Sequence, residues 1–540
     1  MKVLGISGRE RQAAAALAID GAIVAAASED SFVHVPRIGY RHTGGYPLRA
    51  IAACLARGGV TLAQVDQIIV ADNVHTDDMD PPIGSDESMG HAYLGDGIDV
   101  LRRELQGRPR VTITPERADA RQLASVHRAD LITLVLSSDS QSAAVFRQHG
   151  SELSPMHVPA GMDQWLSAMQ RMAQVLGLGS RSSYAAIDRL GAVAGADRGG
   201  DTEAIMQAIS WHPERGVIVN DNLFVDVEAS LRQAGGRLTQ KSQALAAGFS
   251  ARMRQMAVVV GADLMARSGM STLGLAGDLF ASPSLSAAMF RAFGERVVLA
   301  PVPEAAGRAV GAACSSESNG SLKSLALGLD FSEPEIKIAL ENCRLDYLYE
   351  PDWSRLLGRI SRMLAHGSVV AWFQGASGFG PRTVGTRAIL ADPSNRYARE
   401  NINRFLRHGA IDDPLQLSMT RSAMHECLDS ASGTPFLGMD AAVKAPWRDK
   451  LRAALDHHHV AQVQMVTSEQ SPLFFNLLEL HRERTGVPGL ISTTLGGVDE
   501  PAACTPRDAI RAMYSSAIDA FVIGRFLLMK DHWLLRSGPS

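Results

Sequence analysis

The opening of the chain restricts its fold more than any other stretch. Val3–Ser7 and Ala14–Ile19 are apolar runs of strand length, and Asp20-Gly21 supplies a primed turn into a third run, Ala22–Ala27. That spacing predicts three consecutive antiparallel strands. A helical segment follows, with Pro47 at its start and Gly58-Gly59 after its end, and Val65–Ala71 is then an apolar run suited to a buried parallel strand.

The order β-β-β-α-β is that of an actin or sugar-kinase half-domain. A second half is expected from Leu131–Ser138 (LITLVLSS), through strands at Ser142–Phe146, Gly216–Val219 and Leu223–Val227, then a long helix over roughly Gln240–Ala266 leading into Ser271–Ala276. The runs from Leu273 (LGLAGDLFASPSLSAAMF) and from Val297 to Ala313 (VVLAPVPEAAGRAVGAA) each read as strand, tight glycine turn, helix. In the second, Gly307 and Gly311 lie four apart, where missing side chains let backbones approach. Ser315–Asp352 turns polar and then acidic, as a domain connection does, and SVVAWFQG from Ser368 opens a C-terminal α/β unit that ends near Leu528. The expected division is 1–345, in halves of about 1–128 and 129–345, followed by 346–540.

A chain of 540 residues is too long for one ordinary core, and 46% apolar with 20% charged residues is material for folded domains throughout. A formal charge of -4 gives no general attraction to nucleic acid or to an anionic membrane, so neither is an expected partner. The N-terminus lacks a signal-peptide pattern and no window reaches the length of an uncharged membrane span. The five cysteines, Cys54, Cys314, Cys343, Cys427 and Cys504, are far apart with no C-x-x-C pair, as suits a reducing compartment. A soluble cytoplasmic protein is expected.

GFGPRTVGTRAILADP at Gly378–Pro393, the VVAWFQG before it, RTGVPGLISTTLGGVDEPAACTPRDAI at Arg484–Ile510 and AAAALAIDGAIVAAASED near the N-terminus together span nearly the whole chain. In these strings the sequence resembles the ATP-dependent O-carbamoyltransferases of antibiotic and nodulation-factor biosynthesis. The resemblance implies an N-terminal Kae1-like domain of the actin (ASKHA) type and a C-terminal YrdC-like α/β domain. It also implies a two-step reaction: the C-terminal domain makes carbamoyl adenylate from carbamoyl phosphate and ATP with Mg, and the N-terminal domain, holding iron, passes the carbamoyl group to a substrate hydroxyl. Such chemistry needs cations for phosphates and a Lewis acid for developing charge.

Carried over position by position, the catalytic side chains are largely replaced. The family's His-His-Leu-Ala-His string falls on Glu116-Arg117-Ala118-Asp119-Ala120, and its third iron ligand falls on Ala305, so the iron site is expected to be lost. The usual His-Asp before the first alanine run is Arg11-Gln12, with Arg9 and Arg11 still able to meet an anion. Leu-Ala-Gly-Gly becomes Leu275-Ala276-Gly277-Asp278 and the following Asn becomes Ser282. A carboxylate at Asp278 repels a nucleotide phosphate unless a cation intervenes.

The C-terminal string keeps Arg382 and Arg387, and Arg407 stands for a family lysine, all suited to bidentate phosphate contact. Two further family arginines become Gly409 and Asp413, the Asn-Thr-Ser-Phe-Asn loop becomes Ser492-Thr493-Thr494-Leu495-Gly496, and a Thr-Ala-Arg string becomes Val460-Ala461-Gln462. The expected carbamoyl phosphate and nucleotide contacts are Arg382, Arg387, Arg407, Thr493, Thr494, Gly277 and Gly307.

Other clusters read as ordinary structure. His457-His458-His459 are consecutive and cannot share one metal from a helix. Asp72, His75, Asp77, Asp78 and Asp80 form an acidic connection before Pro81-Pro82, and Ser7, Ser137 and Ser138 lack a placed histidine. Three functional readings stand. One is a carbamoyl or related acyl transferase of small-molecule biosynthesis with a rebuilt, metal-free site, acting on a hydroxyl or amine. Another is a catalytically silent partner of an intact paralogue, so that the assembly is a homodimer or a heterodimer with that enzyme. The last is different ATP-dependent chemistry on the same scaffold. The glycines and apolar strands persist where polar catalytic positions do not, which means a shaped molecule is still required.

Overall fold

A computed structural model describes residues 1–72, 97–127, 129–138, 141–150, 152–178, 184–192, 205, 207–220, 222–233, 240–314, 322–380, 385–408, 413–430, 433–497 and 500–530. The first sheet comprises β1 (Lys2–Ser7), β2 (Ala14–Ile19), β3 (Ala22–Ser28), β4 (Gln67–Ala71) and β5 (Val111–Ile113) in the order β3-β2-β1-β4-β5. β1, β2 and β3 are antiparallel neighbours, whereas β4 and β5 add in parallel. β1 is buried on both faces. Leu4 and Ile6 pack toward the helix Leu48–Gly58, and Val3 packs with Ala309 and Ala312 of the helix Arg308–Ala313. Gly5 is bare because a Cβ there would lie 2.1 Å from the Ala309 carbonyl oxygen.

The second half repeats the plan. β6 (Leu131–Ser137), β7 (Ser142–His149) and β8 (Glu152–Met156) are antiparallel, a small hairpin of β9 (Ile209–His212) and β10 (Gly216–Val219) stands apart, and β11 (Leu273–Ala276) and β12 (Val297–Leu299) add to β6 in parallel. The order β8-β7-β6-β11-β12 matches that of the first sheet strand for strand, which makes this the duplicated actin-type architecture. LITLVLS of β6 is buried throughout because Ile132, Leu134 and Leu136 face one core and Leu131 and Val135 the other, the period of a two-sided strand.

One element differs from expectation. Leu223–Val227 is not a strand but part of the helix Asn222–Gln233. Phe224, Val227 and Leu231 are buried at spacings of three and four while Asp226 and Glu228 turn outward, a helical stripe that a short apolar window disguises.

The connection is more structured than its polarity suggests. The Ala26 amide donates to the Leu327 carbonyl at 3.1 Å, so this segment runs along the free edge of β3. On its other side Gly328 donates to Ser377, and Ser377 and Phe379 donate back to Leu329 and Leu325, at 2.7–2.9 Å. Ser332 and Glu335 then form a capping box for the helix Glu333–Asn342, whose Ile336 and Leu340 lie in the C-terminal core. The expected division at 346 therefore falls between two elements that both pack on the C-terminal sheet.

That sheet has nine strands: β13 (Leu348–Tyr349), β14 (Val370–Phe373), β15 (Arg387–Ala391), β16 (Gln416–Thr420), β17 (Met439–Ala442), β18 (Val460–Val466), β19 (Gly489–Thr494), β20 (Ala520–Ile523) and β21 (Phe526–Met529). Their order is β13-β21-β20-β14-β15-β19-β16-β18-β17. Its β17 edge faces the N-terminal half, where Leu437 and Met439 join the core around the helix Pro283–Phe293, and Phe379 and Phe436 pack with Val302 and Ala306. No helix among the described residues is long and apolar enough to cross a membrane.

Candidate functional site

The polar centre of the N-terminal half lies between the two repeated sheets. Thr114 caps the helix Pro115–Arg121 by accepting from the Arg117 amide. Ala118 of this helix meets Gly311 so closely that a Cβ on the glycine would sit 1.8 Å from the Ala118 carbonyl oxygen. That close backbone approach brings Asp119 against Arg308. The Arg308 Nε donates to Asp119 Oδ2 at 3.0 Å and its Nη2 to Ser137 Oγ at 2.6 Å, while Gln122 Nε2 donates to Asp119 Oδ1 at 3.4 Å. The Asp119 and Arg308 side chains are 0% and 9% exposed. Burial pushes the Asp119 carboxyl up to about 7 against the pull of Arg308. Burial also acts against the Arg308 charge, but Asp119 and Asp278 outweigh it and Arg308 stays cationic. Breaking such a pair by removing one partner leaves a charge without compensation in the interior.

A ring of half-buried groups surrounds this pair. Gly277, at φ 93°, turns the chain after β11, and Asp278 accepts from the Ser138 amide at 2.6 Å and from the Ser138 hydroxyl. Ser142 Oγ donates to Glu116 at 2.5 Å, and Gln12 Nε2 donates to Glu304 at 2.8 Å while its Oε1 accepts from the Ala305 amide. Arg11 has Asp278, Arg37, Arg308 and Glu304 as charged neighbours, and burial lowers its pKa. Ser7 Oγ is spent on the Ala305 and Ala306 carbonyls at 3.0 and 3.3 Å.

The iron that the resemblance implies does not fit these residues. Of the places where its ligands fall, Glu116 is bonded to Ser142, Ala120 and Ala305 offer only methyl groups, and the adjacent Asp119 is paired with Arg308. Among the described residues no three His, Cys, Asp or Glu side chains gather closely enough to hold a metal ion. The fixed positive charge at this centre is a guanidinium. Gly277 and Gly307 serve close packing: Cβ atoms there would lie 2.2 Å from the Leu136 carbonyl oxygen and 1.8 Å from that of Val302.

On the C-terminal sheet the expected phosphate contacts separate. Arg387 opens β15 fully buried, with Nη1 donating to the Gln374 and Thr386 carbonyls at 3.0 Å and Nη2 to Gly375 at 2.8 Å. Its guanidinium carbon lies 3.4 Å from the centroid of the Phe373 ring, and burial lowers its pKa to about 9. The arginine turns inward because the β14–β15 connection must place carbonyls in the interior and a guanidinium is the donor that satisfies them. It holds the carbonyls of Gln374, Gly375 and Thr386 and does not face a ligand as expected. Arg382 and Gly409 lie outside the described residues. Arg407 is exposed near Asp413 and Arg189, and Thr493 and Thr494 end β19 beside β15, with Thr494 opposite Ala388.

Several features escape a reading of the sequence. Arg308 is a single charge in the small-residue run AAGRAVGAA, a signal that packing glycines obscured. His481, 0% exposed, meets Asp392 at 3.1 Å through Nε2 and Ser361 at 3.5 Å through Nδ1, while Arg484 Nε donates to Ser361. The trio has the residue types of a hydrolase triad, but it is sealed between the helices Trp353–Ala365 and Pro472–Thr485 and acts as a buried clamp. His457, His458 and His459 lie in an exposed turn, not on a helix. Asp72 accepts from the Tyr40 hydroxyl at 2.8 Å, and His75, Asp77, Asp78 and Asp80 lie outside the described residues. All five cysteines are free thiols.

Residues 361–530 match the family described as carbamoyltransferase C-terminus. An uncharacterised protein of a Synechocystis strain is 23% identical over 98% of this chain and 96% of its own length. Nodulation protein NolNO of Sinorhizobium fredii is 24% identical over 96% of this chain and 78% of its length. Among solved structures, full-length HypF in its phosphate- and nucleotide-bound form overlaps 60% of this chain and 56% of its own, with 10% identity and a TM-score of 0.34.

Proposed function

We propose, from the match of residues 361–530 to the carbamoyltransferase C-terminus family, that this chain transfers a carbamoyl or related acyl group to a hydroxyl or amine of a small molecule, with the N-terminal site rebuilt around Arg308 in place of a metal ion. The observation that carries the reading is the buried Arg308 guanidinium held between Asp119 and Ser137. A buried cation that cannot lose its proton is a fixed electrostatic partner for a carbonyl oxygen gaining charge, and its preorganisation costs nothing at the moment of reaction. Glu116, Asp278 and Glu304, half-buried around it, are the carboxylates available to accept the proton of an attacking hydroxyl or amine.

In this reading ATP with Mg and carbamoyl phosphate are met by the C-terminal sheet. Arg387 holds Gln374, Gly375 and Thr386 from within, and Arg382, Arg407, Thr493 and Thr494 are the groups proposed to contact phosphate. The nodulation relative supports a biosynthetic setting for the acceptor.

A second reading is supported by the inward use of expected catalytic groups: Arg387 is spent on carbonyls and Asp278 on Ser138. A scaffold whose polar groups satisfy one another suits a silent subunit that stabilises an intact paralogue. The discriminating experiment measures pyrophosphate release from ATP in the presence of carbamoyl phosphate, with the purified chain alone and mixed with such a paralogue. Release by the chain alone that requires carbamoyl phosphate supports the transferase. No release alone, together with a raised rate in the mixture, supports the partner.

A further inference from the structure

Val302 stands where the two halves of the molecule meet, between β12 and the short helix Ala305–Gly307, and it is 0% exposed. Its side chain shares a core with Phe379 and Phe436 of the C-terminal half. Gly380 lies so near that a Cβ there would come 3.0 Å from both Val302 methyl carbons. Both aromatic residues are anchored. The Phe379 amide donates to the Leu325 carbonyl at 2.7 Å, and the Pro435 carbonyl, just before Phe436, accepts from Gln464 Nε2 at 2.8 Å and Gln470 Nε2 at 2.9 Å. The backbone of Val302 serves the N-terminal centre instead. Its amide donates to Gln122 Oε1 at 3.3 Å, and Gln122 Nε2 donates in turn to Asp119. Its carbonyl oxygen would lie 1.8 Å from a Cβ on Gly307, the residue before Arg308. One buried residue thus meets the supports of both members of the Arg308–Asp119 pair.

We propose that Val302 is a positioning residue through which Phe379 and Phe436 set the geometry of the Arg308–Asp119 pair, so that this cation is aligned only while the two halves are seated on one another. A close-packed interior passes a displacement on, because its side chains have no void to move into. Gly307 and Gly380 remove slack on either side of Val302, since each admits it where a methyl group would otherwise stand. Phe379 and Gly380 belong to the string GFGPRTVGTRAILADP, so the C-terminal sheet and Arg308 are joined through one contact. The use of this alignment in transfer rests on the reading of Arg308 above, whereas the alignment itself does not.

The test reads the Arg308 Nε–H signal by nuclear magnetic resonance in the full-length chain, isotope-labelled at arginine, with no substrate added. The signal is identified by its loss in Arg308→Lys, or by its displacement in Asp119→Asn if the lysine variant does not fold. Val302→Ala and Phe379→Leu are each expected to move it toward its position in Asp119→Asn, the direction of a weakened pair. Leu340→Ala opens a cavity at least as large in the C-terminal core, away from Val302, and is expected to leave the signal in place. If Val302→Ala does not fold, Phe379→Leu puts the same question from the C-terminal side. A signal unmoved in the folded Val302→Ala and Phe379→Leu variants would overturn the proposal, as would an equal shift in Leu340→Ala. With no substrate present, failure of the chain to transfer a carbamoyl group would leave this result unaffected.

Discussion

Arg308 and Asp119, 189 positions apart in sequence, meet through Nε and Oδ2 at 3.0 Å in the interior between the two repeated sheets. The contact exists because two glycine approaches, Gly311 on Ala118 and Gly307 on Val302, remove the spacing that side chains would impose. The pair should therefore behave as a unit. Arg308→Met is expected to destabilise the protein by about 3–5 kcal/mol, and Arg308→Met/Asp119→Asn by less than that single change, as read from urea unfolding of the cycle. Additive losses would show that the two side chains do not compensate one another.

The same approaches predict intolerance to a single methyl group. At Gly307 and Gly277 an added Cβ meets backbone carbonyl oxygens, which cannot swing away as a side-chain end can. Gly307→Ala and Gly277→Ala should each cost about 2–4 kcal/mol, with Gly277 also strained by its positive φ. Gly59→Ala is the control, since its φ of 62° carries the same kind of strain with nothing within 4 Å, and it should cost about 1 kcal/mol.

Arg387 separates a structural role from a binding one. With its donors on Gln374, Thr386 and Gly375 and its plane over Phe373, Arg387→Met should lose about 2–4 kcal/mol of stability whether or not any phosphate ligand is present. A variant with unaltered urea midpoint and weakened carbamoyl phosphate binding would contradict this placement.

Glu29 predicts a pH dependence. It is fully buried at the start of the helix Leu48–Gly58, accepting from the Ala50 amide at 2.8 Å and from Arg49, and burial raises its pKa to about 7. The folded state thus holds a proton that the unfolded chain, titrating at about 4.3, has released. This contribution to stability is fully present below the unfolded value and is lost as pH rises through about 7. Glu29→Gln should flatten the fall in unfolding free energy between roughly pH 4.5 and 7.5, measured in parallel with the unaltered chain. An unchanged slope would remove Glu29 from the account.

Much of the architecture is legible in the sequence because it rests on local patterns. The primed turn at Asp20-Gly21 sets the β2–β3 hairpin, and the apolar run of β6 marks a strand buried on both faces. The helix over Asn222–Gln233 is missed because five residues of Leu223–Val227 fit either period, and only Leu231 completes the stripe. The site is less legible for a different reason. Its central pair joins residues from distant segments, and Arg308 and Arg387 are both cations whose sequence neighbours say nothing about which way they point. Substituted ligand positions are visible residue by residue, whereas the pairing of Arg308 with Asp119 appears only once two helices meet.

The most direct measurement of the central claim is the iron content of the purified chain, expressed with iron supplied and then titrated anaerobically with Fe(II). With Arg308 paired to Asp119, Ala305 offering no ligand and Glu116 bonded to Ser142, the account predicts no stoichiometric iron and no saturable Fe(II) binding. About one iron per chain, displacing the Arg308–Asp119 pair, would contradict it.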